Sequence, residues 1–278
     1  MTRITNDCHV HSNYSEHPSV DKTSPWLNME KAVELGLERL YFSEHVDMDY
    51  PYQEETNVEY DPCVNMQAYY ENLKKMEEAY RGKVRPMFGV ELGLMEGNLD
   101  KIREYIKGYE LDQVLASIHT LHGVGPNFHK APAWEGWTKS TVQQLYLETM
   151  IRLSKEYGDF DCVTHITYYS RNCPFEEKEF YYNEAPDHYD ALFKMLIESG
   201  KGMEINTSAY RKFGFFLPGL EILKRYREMG GEILTIGSDG HGKDKIGLDL
   251  DLAGEMAKEA GFTYYTIFES RKPRFIKL

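Results

Sequence analysis

A single α/β domain, a barrel of seven strand-then-helix units, is the fold class the sequence predicts. Three observations predict it. Apolar strand-like runs alternate with amphipathic helical runs, an order that implies parallel strands joined by right-handed crossovers. No GxGxxG follows the first strand and no GxxxxGK[ST] occurs anywhere, which favours a barrel over a doubly wound sheet. The chain has 278 residues, a length that α/β barrels often fill as one unit, and no repeat or composition shift divides residues 1–278.

The elements follow in order. "RITNDCHV" (3–10) reads as the first strand and "NMEKAVELGL" (28–37) as the first helix. "ERLYFSEH" (38–45) precedes "MQAYYENLKKMEEAYRG" (66–82), and "VRPMFGVEL" (84–92) precedes "DKIREYIKGY" (100–109). "QVLASIH" (113–119) leads to "STVQQLYLETMIRLSKEYG" (140–158), and "DCVTHI" (161–166) to "PDHYDALFKMLIESG" (186–200). "GMEINTS" (202–208) and "PGLEILKRYREMG" (218–230) form the sixth unit; "EILTIGSDGH" (232–241) and "DLAGEMAKEAG" (251–261) form the seventh, with a short run "YYTIF" after it. Several helices end in Gly, the usual left-handed stop, and Asn28, Ser140 and Pro218 read as start signals. Long connections at about 46–64 and 120–139 follow strand ends, where active-site loops of barrels belong.

Composition narrows the function classes. The 32 Lys and Arg against 45 Asp and Glu leave a formal net charge of −13, which argues against a nucleic-acid or anionic-membrane binder. Cys8, Cys63, Cys162 and Cys173 stand far apart without a CxxC, so reduced thiols and a cytoplasmic location are expected. No apolar run approaches the length of a membrane span.

Chemistry gathers at the strand ends. The first strand ends at His9-Val-His11, the second at Glu44-His45, the third at Glu91, the fourth at His119, the fifth at His165, the sixth at Asn206 and the seventh at Asp239-Gly-His241. In a barrel these ends converge on one mouth. Residues i and i+2 of a strand share a face, so His9 and His11 can grip one metal, as can Asp239 and His241 if the strand extends that far. A lone HxH is a weak signal, and His119 or His165 alone would read as structural. Burying so many titratable groups together without a cation is expensive, so the joint placement favours a metal centre. Imidazole with carboxylate suits Zn, Fe or Mn better than Ca or Mg. Of the remaining histidines, His188 opens a helix and reads as solvated, His129 as loop surface and His122 as a pocket candidate.

The series "DCHVHS", "SEHVD", "GVELGL", "SIHTLHG", "THI", "EINTSAYRK" and "GSDGH" resembles the polymerase and histidinol phosphatase (PHP) superfamily. "NTSAYRK" and the terminal "FESRKP" resemble its histidinol-phosphate phosphatase branch. The resemblance implies a distorted (β/α)7 TIM-like barrel with two to three divalent ions at the C-terminal ends of the strands. It implies His9, His11, His17, His45, Glu91, His119, His165, Asp239 and His241 as ligands. Glu91 would bridge two ions, and "NYSEHP" would be the loop that returns His17 to the cluster. "TLHGVGPNFHKAP", after the fourth strand, departs from the branch pattern.

The implied reaction is hydrolysis of L-histidinol phosphate, a step of histidine biosynthesis, with Asp239, His241 and Glu91 in the catalytic group. Metals held close together activate a bridging water and clamp the phosphoryl oxygens of an in-line displacement. Arg171 and Arg211 lie just beyond metal-bearing strand ends and resemble the family's phosphate-holding arginines, with Lys212 a weaker candidate; Arg matches phosphate through bidentate hydrogen bonds. Glu44, Glu204, Tyr168 and Tyr169 are candidates for the substrate's ammonium and imidazole groups. The expected partner is a small phosphomonoester, with no nucleic acid and no membrane. Two alternatives stay open: the same fold acting on a nucleotide, a nucleic-acid end or a phosphoprotein, and a metal-binding module without catalysis.

Overall fold

The computed structural model describes residues 2–15, 24–50, 63–125 and 128–278. Eight parallel strand segments form one sheet in the order β7-β6-β5-β4-β3-β2-β1-β8. They are β1 (Asn6–His11), β2 (Arg39–Val46), β3 (Arg85–Gly93), β4 (Gln113–Ser117), β5 (Cys162–Val163), β6 (Gly202–Asn206), β7 (Leu234–Gly237) and β8 (Gly240–His241). The last two are halves of one chain run, parted at Ser238-Asp239. Its first half pairs with β6 and its second with β1, at Val10↔Gly240 and His11↔His241. One bent strand therefore closes the barrel, so the eight segments amount to the seven expected units.

The bend has identifiable causes. Asp239 has φ 51, a left-handed conformation that breaks the ladder. The Asp7 carboxylate accepts from Ser238 N at 2.9 Å, Ser238 Oγ at 2.6 Å and Gly247 N at 2.9 Å. Gly237 must be glycine, because a Cβ there would overlap the His9 Cβ.

Helices cover the barrel: α1 (Pro25–Leu35), α2 (Met66–Ala79), α3 (Leu99–Ile106), α4 (Lys139–Tyr157), α5 (Pro186–Glu198), a single turn α6 (Tyr210–Phe213), α7 (Leu220–Glu228) and α8 (Leu250–Glu259). Two start signals lie inside their helices rather than at the caps. Ser24 caps α1 by accepting from Trp26 N, with Pro25 in the first turn. Asn28 instead donates to the His11 carbonyl at 2.9 Å and so ties α1 to the histidine-bearing end of β1. Thr138, not Ser140, caps α4, through a reciprocal bond with Thr141. Pro218 lies two residues ahead of α7, whose cap is Gly219.

An antiparallel hairpin, β9 (Tyr264–Glu269) and β10 (Lys272–Lys277), follows α8. It closes one end of the barrel by engaging the N-terminal ends of the strands. Asn6 donates to Tyr265 at 2.6 Å, Arg39 pairs with Glu269 at 3.0 Å, and Ser270 N donates to Asp112 at 3.0 Å. Arg271 donates to Asp161, and the Phe268 side chain packs inside on Leu115 and Cys162. "FESRKP" therefore lies at the end opposite the histidines. With this end plugged, the other is the open mouth. No helix among the described residues is long and apolar enough to cross a membrane.

Candidate metal centre

Eight of the nine ligand candidates meet at the C-terminal mouth; His17 lies outside the described residues. Four groups hold donor atoms within 4.8 Å of one another: His11-His45-His241, His9-His11-Asp239, His45-Asp47-His119 and Glu91-His119-His165. The groups share members, so they form one cluster.

Glu91 sits at its centre and is 1% exposed. Its two oxygens face different histidines. Oε1 is 2.9 Å from His165 Nε2 and 3.1 Å from His119 Nε2. Oε2 is 3.2 Å from His45 Nδ1 and 3.4 Å from both His9 Nε2 and His11 Nε2. A carboxylate placed this way can bridge two cations. Asp239 divides its oxygens too. Oδ1 faces His11 at 3.3 Å and His241 at 3.4 Å, and Oδ2 faces Arg171 Nη1 at 3.8 Å. A continuous strand does not bring Asp239 and His241 together; the bend between β7 and β8 does. His165 also departs from regular strand geometry, with φ 25. Positive φ at two members of one site is local strain of the kind that functional sites retain.

The donor set fits a cation. His9 Nε2 lies 3.0 Å from His11 Nε2, and His45 Nε2 lies 3.4 Å from His241 Nε2. Two imidazole lone pairs facing each other repel unless a proton or a metal stands between them. His11 Nδ1 and His165 Nδ1 are buried without a hydrogen-bond partner. Burial pushes His11 down to about 3 and holds His45 and His241 below the usual histidine range, so all three are neutral, the form that ligates. Burial alone would lift Glu91 and Asp239, but His119 and His9 hold Glu91 well below the usual carboxylate range, and the bond from His11 does the same for Asp239. The cluster therefore offers three neutral imidazoles beside ionised carboxylates. At His9 and His119 burial is outweighed by the neighbouring acids, Glu204 and Glu91 for His9 and Asp47 and Glu91 for His119, which hold both rings well above the usual histidine range.

Supporting residues fix the rings. Glu204 Oε1 meets His9 Nδ1 at 2.7 Å, and its other oxygen accepts from Asn206 at 3.1 Å. It orients the His9 ring rather than facing the mouth. Glu44 is likewise engaged: it accepts from Ser12 Oγ at 2.5 Å and from Ser15, whose own hydroxyl accepts from His45 N at 2.9 Å. Both acids are fully buried, and neither lines the cavity. Tyr169 is also buried, in the core; Tyr168 alone of that pair reaches the cavity.

The residue that sequence reasoning missed is Asp47. Both its oxygens lie 3.0 Å from His119 Nδ1, and Oδ2 is 3.5 Å from His45 Nδ1. Its signal was present in "SEHVD": Asp47 is two residues beyond His45. Gly93 makes room for it, since a Cβ there would overlap the Asp47 carboxylate.

His129 and His122 sort differently from expectation, and His188 stays away from the mouth as expected. His129 is half-buried, donates to the His119 carbonyl at 2.8 Å and accepts from Asn172 at 3.2 Å, so it belongs to the scaffold of the mouth. His122 is exposed on a turn. His188 pairs with Glu148 at 2.8 Å on the outer helices. His188→Ala is therefore expected to leave kcat/KM within about twofold, as for surface changes generally; a larger loss in steady-state assays would place the site elsewhere.

A cavity of about 380 Å³ opens on the cluster. Arg171, Arg211, Lys212 and Lys245 line it together with Asp239 and His241. Arg171 stacks on the Tyr168 ring at 4.3 Å and approaches Ser208 Oγ at 3.4 Å. Arg211 is 63% exposed and forms a two-pronged pair with Asp249, at 2.8 and 2.9 Å. A cationic rim above a candidate metal centre suits a small anion.

Known proteins share this arrangement's framework. The PHP domain model matches residues 7–208. A probable histidinol-phosphatase of Clostridium acetobutylicum is 30% identical over 272 residues, spanning 97% of this chain and 98% of the relative. One of Thermotoga maritima is 24% identical, spanning 98% of this chain and 99% of the relative. The solved histidinol phosphate phosphatase of Lactococcus lactis subsp. lactis, in complex with zinc, L-histidinol and phosphate, has the same fold: TM-score 0.84, 23% identity, 97% of this chain and 98% of that one. The family match runs from β1 past β6, the relatives are matched end to end, and the barrel carries its histidines at the mouth: the chain belongs to the PHP domain family.

Proposed function

We propose that this protein is a histidinol-phosphatase that hydrolyses L-histidinol phosphate to L-histidinol and phosphate, using two to three divalent ions. The observation that carries the reading is the 3.8 Å approach of the Arg171 guanidinium to Asp239, a member of the metal cluster, within one cavity. A phosphomonoester needs a cation for its free oxygens and metals for the reacting ones, and the mouth offers both side by side.

His9, His11, His45, Glu91, His119, His165, Asp239 and His241 would hold the ions, with Asp47 beside them and His17 as the further candidate. Bound there, divalent ions would polarise the phosphoryl oxygens and lower the pKa of bound water. The zinc in the Lactococcus lactis enzyme and the imidazole-rich donor set support zinc, with iron and manganese compatible. Arg171, held flat by Tyr168, is placed to take the phosphate's outer oxygens, and Arg211 reaches in from the rim. Asp239 lies between the metal cluster and Arg171 and so aligns the two. The full-length relatives support L-histidinol as the leaving group.

A phosphate-release panel tests the reading: purified protein with L-histidinol phosphate, nucleotides, sugar phosphates and p-nitrophenyl phosphate, with and without chelator. L-Histidinol phosphate is expected to give the highest kcat/KM, and chelation to remove it. Higher kcat/KM on a nucleotide, or activity indifferent to chelation, would overturn it.

A further inference from the structure

The cavity holds a carboxylate with no place in the metal cluster. Four acids line it among the described residues: Asp47, Glu91, Asp239 and Asp249. The first three belong to the donor groups of the metal centre. Asp249 does not.

Asp249 also declines the role its position suggests. It is the N-terminal cap residue of α8, yet its side chain makes no capping hydrogen bond. Asp at a cap ordinarily accepts from the first turn. Here the backbone adopts φ 59, ψ 15, a left-handed conformation, and the side chain, 8% exposed, pairs with Arg211 instead. The Thr207 hydroxyl, donating to the Leu248 carbonyl at 2.7 Å, ties this turn to the end of β6. The turn is thus anchored with the carboxylate on the cavity.

A carboxylate has about four lone-pair sites. Arg211 uses one on each oxygen, through Nε and Nη2. Acceptor capacity remains on both oxygens. L-Histidinol phosphate, the proposed substrate, is a phosphate with an ammonium two carbons from its ester oxygen. Arg171, Arg211, Lys212 and Lys245 line the same cavity. An ammonium entering among four cationic side chains is repelled unless a carboxylate receives it.

We propose that Asp249 is the specificity residue for the substrate's ammonium group. One face of its carboxylate holds Arg211 toward the phosphate, and the remaining lone pairs accept from the ammonium. A single side chain so joins recognition of the substrate's two charges. This rests on the histidinol-phosphatase reading.

The test compares Asp249→Asn with the wild-type holoenzyme on two substrates, L-histidinol phosphate and 3-(imidazol-4-yl)propyl phosphate, which lacks the amine. Asn is well suited to a left-handed backbone, and metal content with melting temperature checks that the variant is intact. The wild type is expected to prefer the amine-bearing substrate by tenfold or more in kcat/KM, and Asp249→Asn to lose most of that preference. Weaker hold on Arg211 lowers both substrates together, so the ratio isolates the ammonium contact. An unchanged ratio, with both rates lowered or neither, overturns this proposal and leaves the phosphatase reading standing. No turnover of L-histidinol phosphate by the wild type overturns both.

Discussion

His9→Ala is expected to lower kcat on L-histidinol phosphate by about 10³-fold or more, because losing a ligand removes metal-borne charge stabilisation worth several kcal/mol. The His9 ring faces Glu91 at 3.4 Å and Asp239 at 3.9 Å through Nε2, and Glu204 at 2.7 Å through Nδ1. Its removal takes one of the proposed ligands from the cluster and a partner from a fully buried carboxylate. Breaking a buried pair typically costs about 3–5 kcal/mol, so the melting temperature should fall as well. Asp239→Ala separates the two effects. Asp239 lies at the cavity and leaves no acid stranded in the core, so its activity loss should be similar and its stability loss smaller. Metal analysis, melting curves and single-turnover rates on the same preparations check this. Two intact variants with full metal and ordinary turnover would remove these residues from the centre.

Arg171→Ala is expected to reduce kcat/KM by about tenfold to several hundredfold while the metals stay bound. A charge-assisted hydrogen bond contributes about 1.5–3 kcal/mol, and each 1.36 kcal/mol is a factor of about ten in rate. An arginine cannot ligate a cation, so its loss should leave the metal content unchanged and weaken the hold on phosphate. Arg171 is oriented by the Tyr168 ring and stands nearest the cluster. Arg211 is more exposed and already paired with Asp249, so Arg211→Ala should fall in the lower part of the same range. The double variant should lose less than the product of the two effects if both hold one phosphate, since residues sharing a ligand couple. The measurement is kcat/KM against metal content. Full metal with unchanged rates in both variants would take the arginines out of the site and weaken the assignment that leans on them.

Much of this was legible before folding. The seven units follow from periodicity, because a strand reads with period two and a helix with 3.6, and both depend on local sequence alone. Among the described residues, seven of the eight helices lie within a few residues of the expected ones, and the single turn α6 was not expected. The histidines at strand ends were legible because parallel topology brings every strand's C-terminal end to the same mouth. What escaped was set by contacts between distant segments. The caps at Ser24 and Thr138 displaced Asn28 and Ser140, and Asn28 was drawn instead to the His11 carbonyl. Glu44, Glu204 and Tyr169 had the right chemistry for a substrate contact, but burial committed each to another partner. Asp47 passed unnoticed because a carboxylate two residues past a histidine is common, and only the fold sets it against His119.

By itself, then, the sequence determined the order of the elements, the family and the kinds of side chain that crowd the mouth, since these follow from local pattern and motif. The tertiary structure alone decided which of those side chains share a cluster. The break at Ser238-Asp239, pinned by Asp7, turns one strand from β6 to β1 and swings Asp239 toward His11 and Arg171. The hairpin β9-β10 plugs the opposite end. Neither follows from local pattern, because each depends on hydrogen bonds between residues more than 100 positions apart in the chain.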